Sequence, residues 1–138
     1  MPTPAAGSSL RVTAGAAVLD VVAVLVFVAI GRASHHHGET VAGTASTAWP
    51  FLAGLAAGWI VVRAWDRPLP FAPTGLIVWI SCVAMGMVLR VVAGQGTAVA
   101  FVAVALAFLG LELLGWRALA RIGMRARVHR HRADQPAV

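Results

Sequence analysis

The chain has 138 residues, 59% of them hydrophobic and only 12% charged, with no lysine and a net charge of +6 carried by arginine. A soluble domain carries roughly 25% charged residues, so five acids and eleven arginines are too few to clothe a water-facing surface. Most of the arginine flanks apolar runs, which argues against a nucleic-acid patch, and a single cysteine, Cys82, rules out a disulfide framework within one chain.

Residues 1–11 form a small-residue lead, rich in Pro, Gly and Ser up to Ser9 and read as disordered. Val12–Ile30 is the first apolar run, interrupted once, by Asp20. Its length and that aspartate set it apart from a cleaved signal peptide. Gly31–Thr47, rich in Gly, Ser, Thr and His, reads as an extramembrane loop. Ala48–Trp65 is the second run, with Pro50 in its first turn, and Pro68 and Pro70 separate it from the third. Gly75–Val92 and Thr97–Trp116 then form a hairpin about the Gly94-Gln95-Gly96 turn. A spanning helix needs about 20 mostly apolar residues, and all four runs come close to that length. The predicted fold is an all-α membrane domain over 12–117, with four transmembrane helices in two antiparallel hairpins, followed by a basic tail over 118–138.

Arginine orients the spans, because cytoplasmic flanks carry the Lys/Arg excess. Arg11, Arg63, Arg67 and the six arginines from Arg117 onward lie on one side, and Arg32 and Arg90 on the other. Both termini are therefore predicted to face the cytoplasm, in the plasma membrane. Trp49, Trp65 and Trp116 stand near span ends, where aromatic anchors belong.

Ionisable groups inside a span are costly, about 2.5–3.5 kcal/mol at the centre on insertion scales, and face the bundle or a cavity. Four are candidates: Asp20, Arg63, Arg90 and Glu112. Asp20 reads functionally as a proton or cation site with Arg63 or Arg90 as counter-ion. Structurally it reads as a carboxylate, ionised or neutral, that is hydrogen-bonded between helices and holds the bundle in register, and this reading outweighs the first. Arg63 and Glu112 lie close enough to the interface to snorkel. Arg90 can pair with an acid, cap carbonyls at the adjacent turn or reach a lipid phosphate. On the outer face stand Arg32 and the triplet His35, His36 and His37, which with Glu39 could chelate a metal weakly. A solvated loop is the preferred reading, so no metal and no cofactor are assigned. Gly54 and Gly58 form a GxxxG that permits close helix approach, as does Gly86. In the tail, Arg117, Arg121 and Arg125 fall on one helical stripe suited to an anionic leaflet. No HExxH, GxSxG, GxxxxGK[ST] or CxxC occurs, so no enzyme is predicted.

Taken in order, Asp20, Gly31-Arg32 with a following histidine, Thr47-Ala48-Trp49-Pro50-Phe51, Gly54 and Gly58-Trp59 make a pattern. It continues through Trp79, Gly86-Met87-Val88-Leu89-Arg90, Gly94-Gln95-Gly96, Phe101 and Gly115-Trp116-Arg117. Over about residues 15–118 the chain resembles the bacterial integral-membrane family known as domain of unknown function 3054. The resemblance implies a small four-span membrane protein and transfers no catalytic residue. The leading functional expectation is a transport or permeation component, acting as a homo-oligomer, with Asp20 and Arg90 as pathway charges and Arg32 with the histidine loop as an outer vestibule. The alternative is a structural or accessory membrane subunit that docks a partner protein or lipid. A metal-handling role for the histidine loop ranks last.

Overall fold

The computed structural model describes residues 6–34 and 40–133, and among these every regular element is helical. Helix α1 spans Ala6–Ser34, α2 Val41–Val62, α3 Leu76–Val92 and α4 Val99–Ala133. An irregular turn over Phe71–Gly75, with Ala72 extended, leads into α3. All four helices are long and apolar enough to cross a membrane. The exposed faces are apolar, with Val18, Ile60, Val61, Ile80, Val104 and Leu111 each more than half exposed, while Asp20 and Arg117 are fully buried. That inversion suits lipid as solvent, where an outward Val or Leu costs nothing and a polar group must be satisfied inside the bundle. The protein is an integral membrane protein.

Local chemistry moves several boundaries. Helix α2 starts seven residues earlier than its apolar run, because the Thr40 hydroxyl accepts from the Gly43 N–H at 3.1 Å and caps the first turn. Pro50 therefore lies inside α2, not in its first turn. Its missing N–H leaves the Ser46 carbonyl, four residues back, without its helical partner, and the Gln95 side-chain amide donates to that carbonyl at 2.8 Å. The helix stops at Arg63, which takes a left-handed conformation with φ of 49°. At the other extremes, α1 begins within the expected disordered lead, and α4 runs without a break from the membrane run through the basic tail to Ala133.

Helices α2 and α3 meet most closely, along the predicted small-residue ridge. A Cβ on Gly54 would lie 2.7 Å from the Cys82 carbonyl oxygen, and one on Gly58 would lie 2.9 Å from the Val78 Cα. Gly86 makes room for the Phe51 ring in the same way. Phe51 opposes Gly86, Gly54 opposes Cys82 and Gly58 opposes Val78, so residue numbers rise along one helix as they fall along the other. Helix α1 meets α2 in the same sense, since the Thr13 hydroxyl donates to the Trp65 carbonyl and Arg32 donates to Thr47. Midway along the bundle Phe27, Phe51, Phe101 and Phe108 pack together. Phe27 lies edge-on to Phe51 at 5.3 Å between centroids, and both Phe101 and Phe108 lie 6.1 Å from Phe27.

Candidate functional site

The polar centre of the molecule is a closed pair. Asp20 projects from α1 and Arg117 from α4, and both side chains are fully buried. The guanidinium and carboxylate meet fork to fork, with Nη1 donating to Oδ1 and Nη2 to Oδ2, each at 2.7 Å. Such bidentate pairs are the stronger class of hydrogen bond. Two indoles complete the carboxylate: Trp116 donates to Oδ1 at 2.8 Å and Trp59, from α2, to Oδ2 at 2.9 Å. Arg117 further donates through Nη1 to the Leu113 carbonyl at 2.8 Å and through Nε to the Pro68 carbonyl at 3.1 Å. The Trp116 ring covers the guanidinium at 4.3 Å. Asp20 thus accepts four hydrogen bonds and Arg117 uses four of its five N–H groups. The lock joins α1, α2, α4 and the α2–α3 connection.

Asp20 is thus where the sequence placed it, but its partner is neither Arg63 nor Arg90. Arg63 lies at the surface, 3.2 Å from Asp66, with its side chain 70% exposed. Arg90 stands at the opposite end of the bundle, donating to the Gln95 side-chain oxygen at 3.0 Å and to the carbonyls of Gln95 and Gly96 at 3.3 and 3.2 Å. Of the three roles open to it, capping is the one seen in these hydrogen bonds. The turn can present those carbonyls because Gly94 and Gly96 both take a φ of 70°. The Phe101 ring lies 4.4 Å from the Arg90 guanidinium carbon. Arg32 donates to Thr47 at 3.4 Å. Glu112 is half-buried on α4, and its Oε2 has no hydrogen-bond partner among the described residues. His35, His36, His37 and Glu39 lie outside the described residues.

Arg117 corrects the sequence reading. Placed on the tail stripe for leaflet contact with Arg121 and Arg125, it is instead withdrawn completely into the bundle, while those two remain exposed. The apolar run of α4 ends just before it, so in sequence it looks like the first of the cytoplasmic arginines. Only the approach of Asp20 from α1 gives it a reason to turn inward. Trp59, Trp116 and Gln95 are likewise site residues that the sequence reading does not single out, Trp116 because an indole at a span end reads first as an anchor. For Trp116 and Arg117 the signal in the sequence is the juxtaposition Gly115-Trp116-Arg117, a bulky donor pair at the end of a span.

The family model described as protein of unknown function (DUF3054) matches residues 17–120. The chain belongs to that family. The matched stretch begins just before Asp20 and ends just after Arg117, so the DUF3054 domain contains the whole lock, the Gly54–Gly58 ridge and the Arg90 cap. Searches of curated proteins and of solved structures found no match.

Proposed function

We propose that this DUF3054 protein is a structural or accessory subunit of the cytoplasmic membrane, whose bundle is braced by Asp20 and Arg117, and that it is not a conduit. One observation carries the reading: Asp20, the charge a pathway would need, is fully buried with four hydrogen bonds from its own chain. A carboxylate so occupied has no position left for an ion or a water. Along α1 the order is Asp20, Phe27, Arg32, so the phenylalanine cluster stands between Asp20 and the Arg32–Arg90 end. A path between subunits of a homo-oligomer could not reach Asp20 without opening the bundle. The apolar faces carrying Ile60, Val61, Ile80 and Leu111 are the surfaces for lipid or a membrane partner.

Both termini are proposed to face the cytoplasm. With Arg117 withdrawn, eight arginines (Arg11, Arg63, Arg67, Arg121, Arg125, Arg127, Arg130 and Arg132) still outnumber Arg32 and Arg90. Arg121 and Arg125 remain placed to meet an anionic leaflet. A C-terminal fusion to a reporter that fluoresces only in the cytoplasm is expected to light up; a dark fusion at normal expression would reverse the orientation.

The test of the closed lock is hydrogen exchange of the tryptophan indoles, followed by NMR on protein in lipid nanodiscs. Trp59 and Trp116 are expected to exchange at least about tenfold more slowly than Trp49 and Trp65, which are both 44% exposed. Equal rates would mean that water reaches Asp20, and the conduit reading would then return.

A further inference from the structure

The end of the bundle opposite the lock holds chemistry that the accessory reading does not use. An open cavity of about 750 Å³ lies there among the end of α1, the first half of α2 and the α3–α4 turn. Its polar wall includes Arg32, Arg90, Thr47 and Gln95, its apolar wall includes Phe27 and Phe101, and among the described residues no carboxylate lines it. The hydrogen-bond partners described for Arg90 are all neutral oxygens, and its Nε is buried with no partner among the described residues. The Arg90 charge is therefore stabilised by dipoles and a ring face, not cancelled by an acid. Such a cation at the edge of a low-dielectric bundle attracts an anion.

A second cavity, of about 610 Å³, adjoins the first through Arg32, which lines both. Its remaining wall is mainly apolar, with Leu25, Ala29, Ala48, Trp49 and Leu52 from the outward groove between α1 and α2. These two helices are long and apolar enough to span a membrane, so the groove opens toward acyl chains. A cationic chamber joined by a shared arginine to an apolar groove fits an amphiphile. A free inorganic anion would fill only the chamber and leave the groove without purpose.

We propose that this end of the protein binds an anionic phospholipid, its phosphodiester in the chamber lined by Arg32 and Arg90 and one acyl chain along the groove between α1 and α2. Arginine suits the task because its planar fork offers paired N–H donors to phosphate oxygens. The proposal uses neither Asp20 nor Arg117, so it stands or falls separately from the accessory reading.

The experiment is native mass spectrometry of the full chain released from micelles containing phosphatidylglycerol, phosphatidylcholine or both, with thermal shift in inorganic phosphate as a parallel arm. The wild type is expected to retain phosphatidylglycerol with a preference of about tenfold over phosphatidylcholine, the scale of one charge-assisted contact. Arg32→Gln removes most of that preference. Because Arg90 also caps the turn, Arg90→Lys is used there, keeping the charge but losing the fork; it weakens the preference less than Arg32→Gln. Ala45→Phe, at an exposed position of the groove, blocks the acyl chain and lowers retention with both arginines intact. Equal retention of the two lipids, or a preference unmoved by Arg32→Gln, overturns the proposal. If inorganic phosphate stabilises the wild type as strongly as phosphatidylglycerol does and Ala45→Phe changes nothing, the site is for a soluble anion and the lipid assignment is wrong.

Discussion

Replacing Asp20 by Asn keeps the volume of the side chain and removes its charge. Arg117, with no exposure and a carboxylate at 2.7 Å on two of its N–H groups, is then left as a buried cation facing an amide. Breaking a buried pair from one side costs about 3–5 kcal/mol, because the surviving charge keeps its desolvation penalty and loses its partner. The amide can also accept through only one oxygen, so one of the two indole donors, Trp59 or Trp116, loses its acceptor; that contribution is part of the same loss. Arg117→Met fails for the mirror reason, leaving the Asp20 carboxylate with only its two indole donors. The double variant Asp20→Asn with Arg117→Met removes both charges and should lose no more than the worse single. Non-additivity of at least about 2 kcal/mol is therefore expected in the double-mutant cycle. The assay is reversible unfolding by sodium dodecyl sulfate in mixed micelles, followed by tryptophan fluorescence. Losses below about 1 kcal/mol in Asp20→Asn, the scale of exposed ion pairs, or a double loss equal to the sum of the singles, would refute the lock.

Gly54→Ala forces a methyl to within 2.7 Å of a backbone oxygen of α3 and should destabilise by about 1–3 kcal/mol, whereas Gly15→Ala, with nothing within 4 Å, should stabilise by up to about 1 kcal/mol through helix propensity; the same unfolding assay reports both, and equal effects would dissolve the close α2–α3 contact. Arg63→Gly relieves a left-handed backbone at the end of α2 and gives up an exposed ion pair with Asp66 and an exposed contact with the Trp65 ring at 5.9 Å, so stability should rise by up to about 1 kcal/mol; a clear fall would give Arg63 a role the geometry does not. Glu112→Met replaces a buried oxygen that lacks a hydrogen-bond partner among the described residues with an apolar chain of similar length and should raise the stability by about 1 kcal/mol. A drop there would point to a partner for Glu112 beyond the described residues.

The four spans, the GxxxG ridge and the turn about Gln95 were legible because each depends on residues close together in sequence. Apolar run length reports on lipid, small residues four apart share a helix face, and glycines on either side of Gln95 permit positive φ at whatever tertiary fold results. Element ends were less legible. The early start of α2 rests on a threonine cap inside a stretch whose composition reads as loop, and its tolerance of Pro50 rests on an amide supplied from Gln95, 49 residues away from Ser46. An arginine just beyond an apolar run has two stable fates, in water or lipid headgroups or paired inside, and composition around it does not distinguish them. Sequence alone determined that Asp20 must find partners within the bundle, because lipid offers none. Only the tertiary structure decided that the partners are Arg117, Trp59 and Trp116, because it is the packing of α1 against α2 and α4 that brings their donors to one carboxylate.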